Sequence, residues 1–340
     1  MDPAVHSLSI ITVALNEEGH VARLKHSIDH LVPVEGVRVE TVLVDGGSKD
    51  ATVEEAAKAG FDQILHLPGD RIPVCRNAGA AAAAGEWLAY VDAECELSLH
   101  WLTEAAGLLK DHSSVIAGWP AQPPSPGTWV QRVWHIHWSN KNPGLEQFQG
   151  RHVVRHEAFR LITTRNMVLT RAALDDLNGF DEALPTGEDT DLVFRAYHQG
   201  IPVLGVPELA VIHHGEPATL RAFFRQQLWH ANRTAYRRIL GEQRGAAGAN
   251  APRFTFLFIG GLLLLGAGLL FALLLRSAVP AILGFLPLFI LVGAPAWRIA
   301  QQSGSRKNAL PLAVLYAAYG LARSLDLIGF ARAKKSWKSG

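Results

Sequence analysis

The sequence predicts an α/β fold, a mostly parallel sheet with flanking helices, followed by C-terminal helices that cross a membrane. Three observations carry that expectation. Over residues 9–91, short apolar runs alternate with segments of helical period, the rhythm of βαβ units. Between Arg253 and Arg276 lie 22 residues without a charge, roughly 33 Å of helix at 1.5 Å per residue and enough for a bilayer core of about 30 Å. Residues 1–253 hold 23 Lys/Arg and 30 Asp/Glu, residues 254–340 hold 9 and 1. The net +1 of the 340 residues therefore hides two parts suited to different surroundings. A composition 49% hydrophobic and 19% charged excludes a disordered or collagenous protein. Cys75 and Cys95, the only cysteines, are too few for a disulfide framework and argue against a metal-cysteine site. The first residues lack the positive region of a signal peptide, so synthesis is expected to begin in the cytoplasm.

In chain order, strands are expected at 8–14, 40–44, 63–65 and 87–91, with helices at 18–32, 51–59 and 74–84 between them. Ligands of parallel sheets gather at the carboxyl ends of strands. Polar chemistry stands at those ends here: Asn16-Glu17 after the first, Asp45-Gly46-Gly47-Ser48 after the second, Asp92-Ala93-Glu94 after the fourth. Residues 119–160 break the rhythm with Pro120, Pro123, Pro124, Pro126 and Trp119, Trp129, Trp134 and Trp138. They read as a long functional loop or lid. The βα pattern resumes with a helix at 171–177, the acidic turn Gly187-Glu188-Asp189-Thr190-Asp191, a helix to 199, and a strand at 209–212 followed by His213 and His214. An Arg-rich amphipathic stretch at 218–240 and a linker at 241–253 lead to the uncharged run; a second such run spans 277–297. The alternative for these two runs is a helix pair buried in a soluble core. A third apolar stretch, 309–322, is too short to span unaided, so 309–330 is expected as an interfacial helix carrying Tyr316 and Tyr319, before a basic tail at 331–340.

No GxGxxG follows the first strand and no phosphate-loop Gly-Lys-Ser/Thr occurs, which removes the main support for dehydrogenase and ATPase readings. A ring of carboxylates remains. Asp92 and Glu94 could place two hard oxygen ligands on one Mg²⁺ or Mn²⁺ beside a diphosphate, or form an acidic solvated turn with Glu96. Glu188, Asp189 and Asp191 open a helix, where its dipole favours them whatever the function; one of them could instead take a proton from an acceptor hydroxyl. His135 and His137 share one side of any strand but have no third ligand in view. The four tryptophans could stack on a ligand, on sugars or a lipid acceptor if the resemblance described next holds, or pack at a membrane interface.

Taken together, residues 10–17 (IITVALNE), Val44-Asp45-Gly46-Gly47-Ser48-Lys49-Asp50, Arg76-Asn77-Ala78-Gly79 with Gly85, Val91-Asp92-Ala93-Glu94, and Gly179-Phe180-Asp181-Glu182 leading to Gly187-Glu188-Asp189-Thr190-Asp191 resemble glycosyltransferase family 2. The match runs over roughly 7–240 in the family's order. Membrane-bound exopolysaccharide synthases of the succinoglycan type are most similar, through the VDGGS form and the hydrophobic C-terminus. The resemblance implies a GT-A fold, a nucleotide-diphosphate sugar donor and inversion at the anomeric carbon. It implies that Asn16, Glu17 and Asp45 contact the nucleoside, that Arg76 lies near the nucleotide, and that Asp92 and Glu94 hold Mg²⁺ or Mn²⁺ and the diphosphate, with His213 as a further metal ligand. Asp189 would be the general base and Glu188 would face the acceptor. The last position of the DxD-type motif is Glu rather than Asp. The segment at 221–233 loosely resembles the QxxRW element beside the acceptor: Trp229 stands three after Gln226, but the preceding Arg is missing. Seven Lys/Arg against Glu242 between 221 and 253 also suit a helix on anionic lipid.

The expected organisation is a GT-A domain at 1–240 with an acceptor loop or lid at 119–160, the linker, a transmembrane hairpin at 254–297, and the interfacial or third membrane helix. The expected enzyme transfers a sugar to a hydroxyl of a membrane-held, polyprenyl-linked or saccharide acceptor. The alternatives are transfer to polyprenyl phosphate itself, or a non-catalytic nucleotide-sugar-binding subunit of a membrane assembly complex. The partners implied are a nucleotide-diphosphate sugar, the acceptor and the membrane, with no nucleic acid. Arg298, Arg306 and Lys307 against the single Arg276 place both ends of the hairpin and the catalytic domain on the cytoplasmic side of the inner membrane.

Overall fold

Strand β1 (His6–Ala14) forms where the apolar run was expected and is buried from Leu8 onward. It is buried on both faces because parallel neighbours β2 (Val37–Asp45) and β4 (Trp87–Tyr90) make it a central strand. The computed structural model describes residues 6–141, 152–153, 161–184, 187–230 and 250–327. Two units are distinguished within it, Met1–Pro124 with Gln147–Gly215, and Ser125–Glu146 with Glu216–Ser339.

In the first unit an eight-stranded, mostly parallel sheet runs β3-β2-β1-β4-β8-β6-β9-β7, with β3 (Gln63–His66), β6 (Ile116–Gly118), β7 (His152–Val153), β8 (Met167–Thr170) and β9 (Val203–Gly205). β8 is antiparallel to both β4 and β6. A second sheet pairs β5 (Cys95–Leu97) with β10 (Val211–His213), so His213 ends a strand instead of following one. Helix α1 (Val21–Asp29) starts later than expected because Asn16 and Gly19 adopt left-handed backbone angles, φ 55° and 79°. α2 (Thr52–Ala59) is close to its expected span, and α3 (Ile72–Ala82) starts two residues early because Pro73, which lacks an N–H, is tolerated in a first turn. α4 (Trp101–Leu109) packs Trp101, Leu102 and Ala105 against Leu8, Ile10 and Ala89 of the sheet. The remaining helices of this unit are α6 (Arg171–Asp176) and α7 (Glu188–His198).

The loop or lid expected at 119–160 contains a helix, α5 (Trp129–Lys141), which belongs to the second unit. Its Val130, Val133 and Trp134 stand at helical spacing and are buried against Phe223, Ala300, Leu312 and Tyr316; the surrounding prolines and tryptophans masked that stripe. Residues 142–151 and 154–160 lie outside the described set. α8 (Leu220–His230), inside the catalytic domain expected to end at 240, also groups with the C-terminal helices in the second unit. Of the expected linker, only the part from Asn250 is described, and it is the start of α9 (Asn250–Leu275). α9 and α10 (Val279–Gln302) pack closely through glycines: a Cβ on Gly268 would lie 2.4 Å from Pro280 O, and one on Gly284 2.5 Å from Leu264 O. Residues Arg253–Leu275 and Val279–Gln302 are long and apolar enough to cross a membrane, and only 17% and 11% of their most apolar windows are buried. Leu263, Leu273, Ile282 and Phe289 are exposed on them. In α11 (Ala309–Leu327), Tyr316 is buried against Trp134 and Phe254, so it anchors helix packing where an interfacial role was expected.

Candidate active site

The carboxyl ends of β1, β2 and β3 are tied together by side chains acting on backbone. The Asn16 N–H donates to Ser48 Oγ (2.9 Å), the Lys49 N–H to Asn16 Oδ1 (2.9 Å) and the Glu17 N–H to Thr52 Oγ1 (2.7 Å). Asp45 is fully buried; it accepts from the N–H groups of Gly47 (3.1 Å) and Ser48 (3.0 Å) and from His66 Nδ1 (2.6 Å). Asp45, expected to contact the nucleoside, is thus held at the strand end by these three partners.

In the Arg76-Asn77-Ala78-Gly79 run, Arg76, Asn77 and Gly79 each have a defined place. Arg76 is buried and pairs with Glu188 of α7, with Asp92 Oδ1 3.8 Å away. Asn77 donates to Phe180 O and accepts from the Phe180 N–H, each at 2.9 Å, which holds the segment before the acidic turn. Gly79 lets α3 approach β1: a Cβ there would meet Ile11 Cγ2 at 2.5 Å. Arg171 donates to the carbonyls of Ala80, Ala83 and Gly85, closing the C-terminal end of α3. Burial opposes the Arg76 charge, but Glu188, Asp92 and Asp189 together hold its pKa above the ordinary value. Burial, with Asp189 nearby, raises the Glu188 carboxyl above the usual carboxylate range against the pull of Arg76.

Glu188, expected to face the acceptor, is the buried partner of Arg76. Asp189 is half-buried, its Oδ1 accepting from the Thr190 N–H (2.6 Å). Asp191 accepts from Arg195 Nε (2.8 Å), and Arg195 also donates to the carbonyls of Leu177 and Gly179. Removing one partner of a buried pair costs about 3–5 kcal/mol. Arg76→Met should lower unfolding free energy by that order, measured by urea titration, and adding Glu188→Leu should recover most of it. A single variant as stable as the parent would contradict the buried pair.

The expected ligands Asp92, Glu94 and His213 are differently placed. After β4 the chain turns at Ala93 and Glu94, and Asp92 goes to Arg76 while Glu94 joins the β1–α1 segment. Glu17, His20 and Glu94 each offer a ligand atom, and these lie within 4.8 Å of one another. His213 Nε2 stands 3.4 Å from Glu94 Oε2, and Gly215 leaves space for that carboxylate, since a Cβ there would lie 2.2 Å from it. Two carboxylates and an imidazole suit a hard divalent ion such as Mn²⁺ or Mg²⁺. Sequence reasoning missed His20; its signal was the Glu17-x-x-His20 spacing just after a strand end.

In the second unit, Gln226 Oε1 accepts from Gln227 Nε2 (3.4 Å), and buried Gln227 accepts from Arg323 (3.5 Å). The side chain of Trp229 lies outside the described set. Phe223 is fully buried against Trp134, ring centroids 4.7 Å apart. His137 stacks on Trp134 and shares a 2.6 Å hydrogen bond with the Tyr316 hydroxyl, on a helix where a strand face was considered. His214 Nε2 pairs with Glu96 (2.8 Å).

A pre-mycofactocin glycosyltransferase of Mycobacterium tuberculosis is 24% identical over 228 residues, 66% of this chain. The chain spans 47% of that relative's length. Among solved structures, the mannosyltransferase PcManGT from Pyrobaculum calidifontis, in complex with GDP-Man and Mn²⁺, aligns with TM-score 0.55 and 13% identity over 95% of this chain and 87% of that one. TarS 1-349 of S. aureus, in complex with UDP, aligns with TM-score 0.51 and 15% identity over 95% and 92%. At these identities the structural likeness speaks for the fold alone. The family model "Glycosyl transferase family 2" matches residues 9–173. That stretch, just under half of the chain, is similar to the family and carries the first strands of the mostly parallel sheet with their carboxylate-rich ends; the fold as a whole is GT-A-like.

Proposed function

We propose that the chain transfers a sugar, with inversion, from a nucleotide-diphosphate sugar to a hydroxyl of a membrane-held, polyprenyl-linked acceptor in polysaccharide or glycolipid synthesis. The observation that carries this reading is the convergence of Asp92, Glu188 and Asp189 on Arg76, together with the Glu17, His20 and Glu94 group; Arg76, Asp92 and that group fall in the stretch similar to glycosyl transferase family 2. The names of the relatives support it: a glycosyltransferase, and folds seen with UDP or with GDP-Man and Mn²⁺.

In this reading Asp189 takes the proton of the acceptor hydroxyl as that oxygen bonds to the anomeric carbon and the nucleoside diphosphate leaves from the opposite face. Glu188 and Asp92 orient Arg76, whose charge offsets the diphosphate. A divalent cation held by Glu17, His20 and Glu94 would neutralise the charge that develops on the leaving group. The experiment is a screen of nucleotide sugars with the detergent-purified protein, scoring nucleoside diphosphate release with and without polyprenyl-linked acceptors. Binding of donors with no release under any acceptor would favour the non-catalytic subunit.

The membrane part of the proposal has its own test. α9 crosses outward, Arg276 lies outside and α10 returns, leaving Arg298, Arg306 and Lys307 inside. Cys75 and Cys95 are both buried, and burial pushes the Cys75 thiol up to about 11, so neither should react with an impermeant maleimide. In intact cells Ser277→Cys should label and Ser339→Cys should not. Labelling at Ser339→Cys would refute the two-helix hairpin.

A further inference from the structure

We propose that His26 and His30 form a metal site of their own, a two-imidazole chelate on the outer face of α1 for a borderline divalent ion of the Cu²⁺, Ni²⁺ or Zn²⁺ class. The site is separate from the Glu17, His20 and Glu94 group and does not depend on sugar transfer.

His26 lies in the last turn of α1 and His30 is its C-terminal cap. Residues four apart share one helix face, and this is the spacing by which two histidines of one helix hold a single ion. Both residues are exposed, and their ring centroids are 4.0 Å apart with the planes tilted by 45°. The ring of His30 is already oriented as a ligand. Its Nδ1 donates to the His26 carbonyl (2.7 Å), the outer bond that ligating histidines usually make and that leaves Nε2 for the metal. A carbonyl only accepts, so Nδ1 holds its proton in the neutral and the charged ring alike. The ion takes the place of any proton on Nε2, and binding weakens as pH falls.

The donors here are nitrogen alone, because the carboxylate of the same turn, Asp29, is held by Lys25 (2.6 Å). Imidazole without carboxylate suits Cu²⁺, Ni²⁺ and Zn²⁺ over Mg²⁺ and Mn²⁺. The backbone beneath the pair is fixed from the other side of the helix. Leu24 and Ile28 are buried in the core against the sheet. Ser27 Oγ accepts from the Leu97 N–H of β5 (3.1 Å), and the Val32 N–H donates to Leu99 O (2.9 Å). A pair so held loses little freedom on closing round an ion, and the carbonyls at a helix C-terminus favour a cation beside them. His20 is six residues before His26, roughly 9 Å along the axis and 240° around it, so the two sites do not share a ligand.

The test is Cu²⁺ titration of the full chain in detergent, first stripped of metal, read by electron paramagnetic resonance at neutral pH. The parent should bind a Cu²⁺ whose spectrum shows coupling to two imidazole nitrogens, whereas the Glu17, His20 and Glu94 group has only one imidazole to offer. His26→Ala and His30→Ala should each remove that signature and weaken this Cu²⁺ by about 10²-fold, the order gained by linking two binding groups. A second measurement needs no variant. Zn²⁺ should slow the reaction of diethyl pyrocarbonate with His26 and His30, mapped by mass spectrometry, and leave the exposed His100 unprotected. A two-nitrogen signal that survives either substitution, a parent that lacks it, or modification of His26 and His30 at the same rate with and without Zn²⁺ would overturn the chelate.

Discussion

Asp189→Asn should reduce the rate of sugar transfer by about 10²-fold or more, the scale of a positioned general base, while titration of the donor shows unchanged affinity. The amide keeps the shape of the side chain and can still accept from the Thr190 N–H, but it cannot take up a proton. Asp191 is the control, two residues along the same helix. Its carboxylate is bonded to Arg195, which braces the carbonyls of Leu177 and Gly179, so Asp191→Asn should lower thermal stability and leave the rate within a few-fold of the parent. Equal, mild rate effects from the two substitutions would reduce Asp189 to a helix-start residue and require another base.

Chelation should be as severe. With ligand atoms of two carboxylates and a histidine within 4.8 Å of one another, mutual repulsion keeps Glu17 and Glu94 from closing on a diphosphate without a cation between. EDTA should bring turnover to background, and Mn²⁺ or Mg²⁺ should restore it. Glu94→Gln and His20→Ala should each weaken Mn²⁺ binding measured by electron paramagnetic resonance on the protein without nucleotide. Full turnover in EDTA would refute the cation's role; undiminished Mn²⁺ binding in His20→Ala would return the ligand set to Asp92, Glu94 and His213.

Much of the fold was legible because it rests on local patterns. The runs at 8–14, 40–44 and 87–91 are rich in Val, Ile and Leu or aromatic residues with few charges, as central strands are, and each formed within a few residues of its expected place. α5 was not legible as a helix because Pro120, Pro123, Pro124 and Pro126 precede it, and the apolar spacing of Val130, Val133 and Trp134 gains meaning only from Phe223 and Tyr316, distant in sequence.

The site divides along the same line. Sequence alone determined which strand ends carry acids, where a basic helix begins, and which helices are uncharged enough to enter a membrane, since each depends on residues adjacent in the chain. Only tertiary structure decided what each acid faces. Asp92 and Glu94 are two residues apart, yet one turns to Arg76 and the other to Glu17 and His20. Glu188 and Asp189 are neighbours, yet one is buried in an ion pair and the other remains half-exposed. Asp45 is wholly buried while His66, 21 residues on, carries its hydrogen bond to the surface. A carboxylate's chemistry is set by burial and by the charges within a few ångströms of it, and those neighbours come from strands and helices that only the folded sheet brings side by side.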